Sequence, residues 1–142
     1  GAGETSWTTI SVAQPTYVLG GFAPELGGTV IQLSPNGKHG LVVAHQDQST
    51  AATWYQRNNS LSDPNNHEIN GKEFSDWRIP TLREGLLIID KLTALQISGS
   101  FWTSTGSNTN GNYAYYINRN IGTPEQVGDK VTTKRVRAVR AF

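Results

Sequence analysis

The stretch that most constrains this chain is "GGTVIQLSPNGKHGLVVAHQ", Gly27 to Gln46. Two apolar runs, Thr29 to Leu33 and Leu41 to Ala44, flank Ser-Pro-Asn-Gly-Lys. Proline presets φ in that insert and Asn-Gly accepts positive φ, so the chain reverses and the two runs pair as a β-hairpin. Any fold for this sequence has to carry that antiparallel pair and cover its apolar side chains.

A second local signal narrows the choice. "IPTLREGLLIIDKLTAL" sets Thr81 three residues before Glu84, the spacing of a capping box, and Leu82, Leu86, Ile89, Leu92 and Leu95 follow at helical intervals. It is the one strong helix signal. "GSFWTSTGSNTNGNYAYYINRN" reads as a strand, a Gly/Asn tip (Gly106 to Asn112) and a second strand, and "KRVRAVRAF" as a terminal strand. Ser6 to Leu19 is β-branched and aromatic but is cut by Pro15, which suits an edge strand or an oligomer-contact arm. The polar segment from Gln48 to Phe74 is expected to be a long surface loop, an element that often carries function. These signals predict an α+β fold with a twisted antiparallel sheet, one main helix and long loops.

A chain of 142 residues suits a single domain. We assign residues 20–142 to a ligand-binding domain and residues 1–19 to an N-terminal arm. Cysteine is absent, which removes disulfides, thiol nucleophiles, thiolate metal sites and iron–sulfur chemistry together. No apolar run approaches the ~20 residues of a membrane helix, so no membrane insertion is expected. No charged segment leading into an apolar one opens the sequence, and it is expected to begin after any targeting signal.

The formal net charge of +1 gives no bulk attraction for nucleic acid, and no nucleic-acid partner is expected. The charge is nevertheless unevenly distributed. Residues 1–70 hold two basic side chains, Lys38 and Arg57, against the acids Glu4, Glu25, Asp47, Asp63 and Glu68. From Arg119 onward, six basic residues face only Glu125 and Asp129. Such asymmetry points to a local anion-attracting face, with a merely solvated charge run as the plainer reading.

Four segments in order, "GGTVIQLSPNGKHGLVVAHQDQS", "DWRIPT" before a helix, "FWTST" and a closing "VRAVR", resemble the bacterial domain family found at the C-terminus of the Legionella collagen-like adhesin and in many other surface proteins. The resemblance covers about residues 20–142. It implies a C-type-lectin-like fold and a domain displayed outside the cell on a bacterial surface. It also implies presentation as a homotrimer and binding to sulfated glycosaminoglycans of host cells. In that light "GAGET" reads either as the end of a Gly-X-Y stalk or as a tag remnant, and Trp7 to Leu19 as the trimer-contact arm.

The glycan-binding candidates are Lys130, Lys134, Arg135, Arg137, Arg140, Arg119 and Lys72, with Lys38 and Lys91 as extensions. Guanidinium offers a planar fork of donors to anionic oxygens and lysine a mobile point charge, so both suit sulfate. In a strand, Arg135, Arg137 and Val139 share one face, and Lys134, Val136, Ala138 and Arg140 the other. Val136, Arg137, Val139 and Arg140 match the family pattern, which points to pairing with buried acids or backbone carbonyls. Lys130, Lys134 and Arg135 lie outside that pattern and are the stronger anion contacts.

Other chemistries are weaker on the residues. Trp77 and Trp102 match family positions and read as core, while Trp102, Tyr113, Tyr115 and Tyr116 are the candidates for a sugar platform. Of the adjacent Tyr115 and Tyr116, one has to point away from the core. Asp63, Asn65, Asn66 and Glu68 are oxygen-rich, but an Asx turn explains them equally and no calcium-lectin signature is present, so binding is expected to be calcium-independent and without a cofactor. His39, His45 and His67 lack metal-type spacing, no nucleophile elbow or phosphate loop occurs, and the cysteines of formylglycine-generating chemistry are missing, so the chain reads as a non-enzyme. The rival binding mode is a protein-binding tip built from Asn58 to Lys72 and Gly106 to Asn112.

Overall fold

The computed structural model of the chain describes residues 16–61 and 74–142. Its class is α+β, with two sheets and one α-helix among the described residues. The strands are β1 (Phe22–Ala23), β2 (Gly28–Leu33), β3 (Gly40–Ala44), β4 (Ser49–Ala52), β5 (Ser100–Gly106), β6 (Tyr113–Asn118), β7 (Glu125–Asp129), β8 (Lys134–Val136) and β9 (Val139–Ala141). The helix, α1, spans Leu82–Lys91. One sheet runs β1-β2-β3-β9 and the other β4-β8-β5-β6-β7, antiparallel throughout except between β5 and β8. The helix is too short to cross a membrane, which says nothing of the segments outside the described residues.

The hairpin forms where the sequence predicts it. Gly37 takes φ +72°, and Asn36 Oδ1 accepts from the Ser34 hydroxyl and the Lys38 amide, so the turn is closed by its own side chains. Gly28 and Gly40 permit the tight pairing of β2 with β3: a Cβ at either would lie within 2 Å of a carbonyl oxygen on the opposite strand.

The helix begins as the capping box predicts, with Thr81 accepting from the Glu84 amide and Glu84 accepting from the Thr81 amide. It ends earlier than the leucine spacing implies. Arg119 donates to the carbonyls of Ile89 and Leu92, placing a positive charge at the negative end of the helix, and Leu95 lies beyond it, fully exposed. Ile88 and Leu92 are buried with Ile31, Val43, Phe101, Ile117 and Val139 in the main core.

The single terminal strand expected from "KRVRAVRAF" is two strands in different sheets. Gln48 drives the break: its side-chain oxygen accepts from the Ala138 amide while its backbone amide donates to Val136 O, so residues on both sides of Arg137 are held by one buried residue. The one sheet of the sequence reading is therefore two.

The expected loop from Gln48 to Phe74 opens instead with β4 and a short 3-10 turn, Trp54–Gln56. Strand β7 was not foreseen either, because "EQVGD" has almost no apolar pattern and pairs through its backbone alone on β6. Of the N-terminal arm, residues 7–15 of the proposed trimer contact lie outside the described residues, as do Asp63, Asn65, Asn66, Glu68 and Lys72. Tyr17 is described: its amide donates to Gly37 O and its ring meets Phe142 edge-on.

Candidate anion-binding face

The outer face of the second sheet carries an aromatic row. Phe101 and Ile117 point to the main core, so their neighbours Trp102 and Tyr116 point the other way, where they pack with Ala52, Trp54, Ile79, Ala114 and Val136. Trp54, Trp102 and Tyr116 meet edge to face at 5.7 and 6.1 Å between ring centroids, and the Trp102 indole donates to Ala52 O at 2.7 Å. Trp77 and Trp102 are both buried, as the sequence reading has them.

Three cations lie over this row. Lys134, two residues from Val136 and on the same face, sits 3.9 Å from the Tyr116 ring and 5.3 Å from that of Trp102. Lys130 is 5.3 Å from the Trp54 ring and donates to Gly111 O. Arg57 stacks at 3.7 Å on the same Trp54 ring and donates to its carbonyl. Cations over aromatic faces are attracted by the ring quadrupole, which holds them in place without cancelling their charge. Gly128 clears the space: a Cβ there would come within 2.8 Å of Tyr116 and 3.3 Å of Lys134.

None of the three cations forms an ion pair with a carboxylate of the described residues. Burial pushes the Lys134 ammonium and the Arg57 guanidinium below their ordinary pKa values. Arg57 Nε is buried without a hydrogen-bond partner. These are partly desolvated positive groups, the state in which a charged hydrogen bond to an incoming anion is strongest.

The other candidates among the described residues are engaged elsewhere. Arg137 is buried; its Nε donates to Asp47 and its other nitrogens to the carbonyls of Ala44 and Gln96. Arg135 donates to the second oxygen of the same Asp47 at 2.7 Å and keeps 39% of its side chain exposed. Arg140 is buried against Asp76, Leu26 O and the Phe74 ring. Arg119 serves the helix end, and Lys91 meets Asp90 at 3.2 Å. The closing stretch thus does not form one basic surface: it divides into Lys130 and Lys134 over the aromatic row, and arginines turned toward carboxylates and carbonyls.

Arg57 was missed because it lies in a segment read as loop. The local signal was present: Thr53-Trp-Tyr-Gln56 has capping-box spacing, and the Thr53 amide donates to Gln56 Oε1 while the Gln56 amide donates to the Thr53 carbonyl, fixing the 3-10 turn that delivers Arg57 to Trp54. No group of three or more His, Asp or Glu side chains suited to a metal ion occurs among the described residues. No family model matches this chain, and no curated protein matches it.

Proposed function

We propose that this domain is a non-enzymatic adhesin module that binds sulfated glycosaminoglycans through a calcium-independent cationic face. The observation that carries the reading is the gathering of Arg57, Lys130 and Lys134 over Trp54, Trp102 and Tyr116 without a facing carboxylate among the described residues. A sulfated polysaccharide presents charge along its length, so separate cations each contribute and no deep pocket is required. The ordered motifs that resemble the collagen-like adhesin family support the same reading. With them come a C-type-lectin-like fold, display on the bacterial surface and presentation as a homotrimer, in which repeated sites add avidity.

A titration with heparin over a salt series, with and without EDTA, tests it. Binding is expected to weaken steeply with salt, to ignore EDTA, and to be lost in a folded Arg57→Ala, Lys130→Ala, Lys134→Ala triple variant. Absence of binding at low salt, or equal binding by the variant, would sink the proposal.

The protein-binding tip is the second reading. It is favoured by exposed apolar side chains around the Gly106–Asn112 tip, Tyr113 and Val131 at 40% and 67% exposure. A partner held by such contacts would dissociate far less with added salt.

A further inference from the structure

A cleft of about 290 Å³ lies between the first sheet and the segment after α1, lined by Phe22, His45, Leu92, Leu95, Gln96 and Arg137. It shares no residue with the cationic face. Two of its wall residues are apolar side chains outside the core clusters: Leu95 is fully exposed and Phe22 is 46% exposed, its ring 5.2 Å from that of His45. At its base is a guanidinium that is 5% exposed.

The charge at that base is not balanced. Arg135 and Arg137 both pair with the single carboxylate of Asp47, which leaves one positive charge in excess. Three N–H groups of Arg137 are engaged, and a guanidinium has five, so two remain beyond those contacts. A planar carboxylate matches that fork better than a tetrahedral anion does. Apolar walls with a few polar groups at one end are the usual make-up of a small-ligand site, and this volume is at the low end, one ring rather than a chain.

We propose that the cleft is a second ligand site, independent of the cationic face, which takes a single carboxylate-bearing sugar ring. The hexuronate carboxylate is directed to Arg137, the ring lies against Phe22 and Leu95, and Gln96 and His45 serve its hydroxyls. The ring arrives either as the free sugar or at the end of a polysaccharide.

The test is an amide NMR titration with glucuronate, with glucose and inorganic sulfate as controls. Glucuronate is expected to shift the amides of Ala44, His45 and Gln96, and glucose to bind about tenfold or more weakly, the loss of a charged hydrogen bond. A Phe22→Ala, Leu95→Ser variant, which leaves Arg137 in place, is expected to bind about tenfold weaker while the rest of its spectrum is unchanged. The Lys130→Ala, Lys134→Ala variant should bind glucuronate as wild type does, so this site and the cationic face stand or fall separately. A hyaluronan oligosaccharide that shifts the same amides assigns the chain end as ligand; glucuronate alone doing so assigns the free sugar. No shift at about 20 mM, well above a millimolar Kd, overturns the proposal. So does an equal response to glucose or sulfate.

Discussion

The Lys134 ammonium, on β8, lies 3.9 Å from the centre of the Tyr116 ring on β6, with β5 between the two strands. Burial lowers its pKa from the ordinary lysine value. A lysine so placed loses its charge at a lower pH than a solvated one, and with it the attraction for an anion. Heparin affinity is therefore expected to fall as pH rises through this lowered range, before the ordinary lysines titrate near about 10.4. Isothermal titration across alkaline pH checks it: Lys134→Ala should remove the early part of the fall.

Each cation over the aromatic row contributes to the salt response. Replacing Lys130 or Lys134 by Ala is expected to reduce the slope of log affinity against log salt by about one, by analogy with phosphate contacts. Arg135→Ala, whose partner is Asp47, should change that slope less. Affinity measured at four or five salt concentrations decides between them.

Asp47 holds two guanidiniums across the gap between the sheets. Asp47→Ala leaves Arg137 buried and charged without its acid, a change expected to cost about 3–5 kcal/mol. Denaturant unfolding followed by tryptophan fluorescence measures this. A loss within experimental error would show that the pair contributes nothing net.

Glu84 takes both hydrogen bonds of Arg78, at 2.6 and 2.7 Å, and caps α1. The Arg78 hydrogen bond first, then the Thr81 amide, hold its pKa below the ordinary value against the opposing effect of burial. A carboxyl with a depressed folded pKa stabilises the fold above its unfolded pKa, and that stability is lost as pH falls through the folded value. The thermal midpoint is thus expected to drop as pH is lowered below about 4.3, and the drop should be smaller in Glu84→Gln.

Gly85 sets helix propensity against packing. Alanine would gain about 1 kcal/mol of intrinsic preference, but its Cβ would come within 2.7 Å of Ile117 Cγ1 in the main core. Overpacking costs about 1–3 kcal/mol, so Gly85→Ala is expected to be destabilising on balance. A higher thermal midpoint for the variant would mean that Ile117 repacks freely.

The sequence by itself determined the elements whose hydrogen bonds close locally. Pro35, Asn36 and Gly37 settle the β2–β3 turn within a few residues, and Thr81 with Glu84 starts α1 within one helical turn. Strands β5 and β6 were legible for the same reason, since a Gly/Asn tip joins them. What the sequence left undecided were contacts between distant residues. Strand β7 has no apolar period of its own and exists because β6 offers it a backbone edge. The end of α1 is fixed by Arg119, and the break in the terminal strand by Gln48, ninety residues from the amide it accepts.

The candidate site divides along the same line. That the closing stretch is basic is plain from composition, but a charged side chain is available to a ligand only if no acid or carbonyl of the fold claims it first. Asp47 lies 88 and 90 residues from the arginines it pairs with, and Asp76 lies 64 from Arg140. Arg57, silent in a polar segment, is brought beside Lys130 by the Trp54 ring they share. Backbone preferences act over a few residues and can be read along the chain. The pairing of long, flexible cations depends on which groups the folded sheets set within reach, and only the tertiary structure decides that.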